Sequence, residues 1–173
     1  MMKQSQVVLL VAAVTAMQPV ARLQRAPVRM AASDILASDR ILIAPALATS
    51  NVAKLGEEAQ AAVAAGADCL HFNVMDGHHT EKLTWGPMMV KALRAYGVEA
   101  PIDVQLTCGK EIVDVQIEEF AAAGASYITF HAEGTRNIDR SLGLVASLGC
   151  KCGVVLNPST PTSYLENIMH KVD

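Results

Sequence analysis

The pentapeptide Ala-Ala-Gly-Ala-Asp at 64–68 returns as Ala-Ala-Gly-Ala-Ser at 122–126, each time where an alanine-rich helical stretch meets a short apolar run. A glycine in that place ends a helix by taking up positive φ. Gly97 and Gly149 stand at two further joins of the same kind. Between these stops, β-branched or apolar runs at 41–48, 69–76, 100–107, 127–133 and 151–158 alternate with helical stretches near 52–65, 87–96, 110–123 and 135–148. The alternation predicts parallel β/α units, and a hydrophobic content of 51% supplies a core for them. An eight-unit barrel typically takes about 250 residues, so the stretch 41–173 provides five units, just over half. Five open units expose sheet edges, which predicts either more chain after Asp173 or a partner that covers them.

The first 40 residues follow other rules. The apolar run 7–16 is about ten residues, half of the roughly 20 that a bilayer-spanning helix requires. It follows Lys3 and ends in Val14-Thr15-Ala16, a small-residue cleavage site, so residues 1–16 read as signal-like. Residues 17–33 hold three arginines and no acidic residue, a transit-peptide composition that makes 17–40 transit-like. A two-part leader over 1–40 predicts delivery to a plastid, with a mitochondrial presequence as the alternative, and a mature form without a membrane anchor. The leader is basic, with five basic and two acidic residues, which leaves −6 on 41–173 against −3 for the whole chain. An acidic body has no means of displacing counterions from a nucleic-acid backbone, and nucleic acid is excluded as a partner.

In a β/α barrel the chemistry sits at the C-terminal ends of the strands. With a period of two, the second run places His71, Asn73 and Met75 on one face, and the third places Asp103 and Gln105 together. His131 lies near the end of the fourth. The adjacent His78 and His79 are expected in a solvated loop, with Asp76 and Glu81 as carboxylates of unfixed separation and Glu118-Glu119 on an exposed helix face. Cys69, Cys108, Cys150 and Cys152 lack structural-zinc spacing and are expected as buried thiols.

Seven segments, taken in order, resemble ribulose-phosphate 3-epimerases. They are Ile43-Ala44-Pro45, Leu55-Gly56-Glu57-Glu58, His71-Phe72-x-Val74-Met75-Asp76-Gly77-His78 and Leu83-Thr84-x-Gly86-Pro87, followed by Pro101-Ile102-Asp103-Val104-x-Leu106, Thr129-Phe130-His131-x-Glu133 and Gly153-x-x-x-Asn157-Pro158-x-Thr160-Pro161. The resemblance implies an α/β fold, the ribulose-phosphate-binding type of (β/α)8 TIM barrel. It implies interconversion of D-ribulose 5-phosphate and D-xylulose 5-phosphate by proton transfer at C3, a reaction of the pentose phosphate pathway and Calvin cycle. It implies two aspartates as acid and base, which with two histidines hold a divalent metal, zinc or else iron or manganese. Pentulose 5-phosphate and epimerase subunits, as homo- or hetero-oligomer, are the implied partners.

Residue by residue, His71 matches a metal-binding histidine and Met75 a substrate-pocket methionine. Asn73 occupies the position of the proton-accepting aspartate, Gln105 that of the second histidine, Ala46 that of a serine and Thr107 that of a second pocket methionine. Thr80-Glu81-Lys82 replaces Val-Pro-Asn. The remaining aspartate and the phosphate-binding turns match nothing up to Asp173. No catalytic residue is therefore assigned, and the chain is expected to be catalytically impaired, or else a non-catalytic barrel fragment that binds a sugar phosphate or an epimerase subunit.

Overall fold

The computed structural model describes residues 41–173, so the leader expected over 1–40 lies outside the described residues. Four parallel strands, β1 (Leu70–Met75), β2 (Ile102–Thr107), β3 (Tyr127–His131) and β4 (Lys151–Val155), lie side by side in chain order. Helix α1 (Leu55–Ala64) precedes β1, and α2 (Pro87–Tyr96), α3 (Val113–Ala123) and α4 (Ile138–Ser147) link each strand to the next. Neighbouring parallel strands joined by single helices are the wall of a TIM-type barrel, as the sequence predicts.

The period of two divides the sheet into unlike faces. Phe72, Val74, Val104, Leu106, Ile128 and Phe130 point to the helix side and are buried there with Val90, Leu93, Ile117, Phe120, Leu142 and Val145. The other face presents His71, Asn73, Asp103, Gln105, Thr107, Thr129 and His131, polar residues that the helices do not cover.

The helix stops obey the local rule. Gly97 and Gly124 take φ of +97° and +104°, and the residue after each donates its N–H back to Leu93 and Phe120, respectively. That closes the last turns as Schellman caps. Arg94 then ties the two stops together. Its guanidinium donates to the carbonyls of Val98 (2.8 Å), Ala100 (2.7 Å) and, through two nitrogens, Gly124 (3.1 and 2.9 Å).

A second device recurs at the strand entries. Asp68 accepts the Ile43 N–H (2.8 Å) on its carboxylate and returns its own N–H to the Ile43 carbonyl (2.9 Å). Ser126 makes the same exchange with Ile102 (3.3 and 2.8 Å), and Asp173 with Cys152 (3.0 Å each way). The pentapeptide repeat thus marks a helix stop followed by a reciprocal joint to the preceding strand.

The first expected strand differs from the other four. Residues 41–48 run parallel to β1, but the Ala46–His71 pair is an isolated bridge. The Pro45 carbonyl accepts the His71 N–H at 2.9 Å, while Pro45 itself has no N–H to give, and Leu47–Thr49 turns into a 3-10 helix. The runs expected to 133 and 158 stop at His131 and Val155, because Ala132–Gly134 also winds into a 3-10 turn and the chain after β4 enters Asn157-Pro158. Among the described residues, no helix is long and apolar enough to cross a membrane.

Candidate functional site

Parallel register stacks the polar face into rows. His71, Asp103, Tyr127 and Lys151 are in line across the four strands, and Asn73, Gln105, Thr129 and Gly153 form the next row toward the C-terminal ends.

In the first row, His71 Nδ1 lies 2.7 Å from Asp103 Oδ2. A carboxylate has only acceptors to offer, so Nδ1 donates, which fixes the ring and leaves Nε2 as the outward atom. The His71 side chain is 3% exposed, and Nε2 is buried with no hydrogen-bond partner among the described residues. Asp103 Oδ1 is likewise buried and unpartnered.

The second row is uncharged. Gln105 Nε2 donates to Thr107 Oγ1 (3.5 Å), and the Thr107 hydroxyl donates to Asn73 Oδ1 (3.3 Å). Thr107 is buried, and the chain of bonds holds the Asn73 amide oxygen toward β2. Met75 is half-buried on the same face one step further along β1. The residues singled out from sequence, His71, Asn73, Met75 and Gln105, therefore share one face of two adjacent strands.

The loop between β1 and α2 closes over the strand ends on a fixed base. Thr84 accepts the Met75 N–H (2.9 Å) and donates to the Asn73 carbonyl (3.0 Å). Asp76 accepts from the N–H groups of His78 (2.9 Å) and Gly109 (2.8 Å). Burial pushes the Asp76 carboxyl up, but the N–H groups of Gly109, His78 and His79 outweigh it and hold it below the usual range. Asp76 is thus a loop clasp, and the structure does not pair it with Glu81, which is exposed.

Only half of the histidine pair matches the expectation of a solvated loop. His78 is exposed beside Asp76, whereas His79 stacks on His131 with ring centroids 4.3 Å apart and places Nε2 3.4 Å from Asn157 Oδ1. Glu133 accepts from the Asn157 N–H (2.9 Å) and from the Thr160 hydroxyl, and its other oxygen faces His131 Nδ1 at 3.6 Å. This cluster of His79, His131, Glu133, Asn157 and Thr160 was not legible as a unit. The available signal was the Asn157-Pro158-x-Thr160 segment after β4, which brings two polar groups to the end of β3. All four cysteines are buried and free, as expected, and burial pushes the Cys69 and Cys108 thiols up to about 12.

The donor set does not fit a divalent metal. One imidazole nitrogen is free, but the next row offers two neutral amides, Asn73 and Gln105, which bring no charge to a cation. Among the described residues no three His, Cys, Asp or Glu side chains are grouped so as to hold a metal ion.

A parallel β/α wall with polar strand ends defines the class of TIM-type barrels, and two solved structures have the same fold. The chain superposes on KGPDC from Streptococcus mutans, determined as a ligand complex, with a TM-score of 0.56 at 16% identity, over 75% of this chain and 58% of that one. It superposes on the tryptophan synthase alpha chain from Legionella pneumophila with a TM-score of 0.55 at 13% identity, over 82% and 62%. Sequence is more specific. Residues 42–173 match the model of the ribulose-phosphate 3 epimerase family, and the chain belongs to that family. The ribulose-phosphate 3-epimerase of Escherichia coli strain K12 is 52% identical over 132 residues, 76% of this chain and 58% of that protein. The Serratia marcescens enzyme of the same name is 48% identical over 134 residues, 78% and 63%. The chain spans less than two thirds of the length of these relatives.

Proposed function

We propose that this chain takes a pentulose 5-phosphate at the polar strand-end face and epimerises it poorly or not at all. Family membership supports the ligand, D-ribulose 5-phosphate or D-xylulose 5-phosphate, and with it a place in the pentose phosphate pathway or Calvin cycle. The uncharged Asn73–Gln105 row carries the loss of turnover. Epimerisation beside a ketone needs a group that removes a proton and another that returns one to the opposite face. An amide accepts no proton near neutral pH. Of the neighbouring carboxylates, Asp76 is held by the loop N–H groups, and Asp103 lies in the row below with Oδ2 committed to the His71 ring. Loss of one general base typically lowers a rate by about 10²- to 10⁴-fold.

The test is proton NMR of D-ribulose 5-phosphate in D2O with the full chain, with zinc, iron or manganese supplied in turn. The expected result is no D-xylulose 5-phosphate and no deuterium at C3; sustained turnover overturns the reading. A binding role alongside an epimerase subunit shares the same ligand, and co-purification with a catalytically complete epimerase is its measurement. The leader composition supports a plastid destination, tested by fusing residues 1–40 to a fluorescent protein; mitochondrial import overturns it.

A further inference from the structure

We propose that the His71–Asn73–Gln105 patch binds the hydroxyl and carbonyl groups of an open-chain sugar directly, by neutral hydrogen bonds and without a metal ion. The proposal rests on the reading above that a pentulose phosphate reaches this face, and adds how the face holds it.

The direction of the hydrogen-bond chain carries the argument. A metal would call on the Asn73 oxygen, because an amide nitrogen has no lone pair to give. That oxygen is neutral and gives one of its two lone pairs to the Thr107 hydroxyl, whose own oxygen accepts from Gln105. With Oδ1 held toward β2, both hydrogens on Asn73 Nδ2 are free of partners among the described residues. The site thus presents a positive amide edge where a cation would need negative charge. Along this row nothing compensates, since it continues through Thr129 and Gly153, and the carboxylate of the row below, Asp103, is turned to the His71 ring through Oδ2.

A second observation points to a ligand independently. His71 Nε2 is buried with no partner, and the Asp103 bond to Nδ1 leaves it an acceptor on the neutral ring. Burying an acceptor without a partner is unfavourable, and a ligand hydroxyl donating to Nε2 removes that cost. His71 and Asn73 are two residues apart on one strand face, roughly 7 Å along the chain. An acceptor and a donor on one strand face are complementary to the hydroxyl and carbonyl groups of an extended sugar. Gly153 keeps the row open on its far side, because a Cβ there would press to 2.8 Å against Thr129 Cγ2.

Isothermal titration of the full chain tests the proposal, with D-xylulose 5-phosphate and unphosphorylated D-xylulose as probes, each with EDTA and with zinc. Cobalt(II) absorption reports metal separately. The expected result is sugar binding that EDTA leaves unchanged and no stoichiometric cobalt spectrum. Thr107→Val, which releases the Asn73 oxygen, is expected to weaken the sugar roughly five- to tenfold with the fold intact by circular dichroism. Asn73→Asp combined with Gln105→His, which gathers a carboxylate and a second imidazole beside His71, is expected to create a cobalt spectrum that His71→Ala abolishes. Sugar binding that requires zinc, or a stoichiometric wild-type cobalt site lost in His71→Ala, overturns the proposal and leaves the ligand reading standing. Metal-free binding of D-xylulose, weakened by Thr107→Val, with no preference for the phosphate supports the proposal and sinks the phosphate part of that reading. No binding of either sugar in any condition overturns both.

Discussion

The rings of His79 and His131 lie 39° apart in plane with their centroids 4.3 Å from each other, one on the β1–α2 loop and the other at the end of β3. Burial lowers the pKa of His131, the neighbouring His79 lowers it further, and Glu133 opposes both. A histidine that resists protonation in the folded state is protonated first in the unfolded chain. Its contribution is present above the ordinary histidine value of 6.5 and declines as pH falls below that. Thermal unfolding between pH 8 and about 5 is expected to show a falling midpoint that His131→Phe flattens. Glu133, Asp76 and Asp173, whose carboxyls are held below their usual range, lose their contributions only in more acidic solution, which separates the two effects.

Arg94 spends its guanidinium on three carbonyls at the stops of α2 and α3. Arg94→Ala leaves those carbonyls short of donors and is expected to cost about 2–4 kcal/mol in urea unfolding. Arg94→Lys is expected to recover less than half of this, because an ammonium cannot span the fork. Gly124→Ala should also destabilise, since its φ of +104° strains any Cβ and Arg94 Cγ stands 3.1 Å from where that atom would be.

Ser141 is completely buried in α4, and its hydroxyl lies 2.6 Å from both Asp114 of α3 and Thr135. Removing it leaves a half-buried carboxylate without that donor. Ser141→Ala is expected to destabilise by about 1–3 kcal/mol, read as a shift in the denaturation midpoint at constant slope.

The four thiols test packing from another side. Reaction needs the thiolate, and burial raises the pKa of every one. A disulfide-exchange reagent at pH 8 is expected to modify none of them in the native chain and all four in guanidinium. Rapid native labelling of Cys108 would show that the β2–α3 loop opens.

How much of this was readable beforehand follows from the range of each rule. Gly97 and Gly124 obey a rule confined to one helix turn, so their positive φ and the helices they end were predictable. Phe72 and Val74 against His71 and Asn73 follow from strand period alone. Pro45 carried a legible warning, its missing N–H, which the apolar pattern around it outweighed. The His71–Asp103 bond needed the β1–β2 register, and the turn of His79 toward His131 needed the clasp made by Asp76, Gly109 and Thr84. Those are contacts between segments far apart in the chain, and no local pattern encodes them.

The reciprocal joints of Asp68, Ser126 and Asp173 all sit at the N-terminal edge of the sheet. Spacing between neighbouring strands is therefore standardised at the end opposite Met75, Thr107 and His131. The wall is built from positions other than the polar row, so a substitution at Asn73 or Gln105 leaves these joints untouched. A scaffold indexed from its floor permits its rim to vary while the architecture stays fixed.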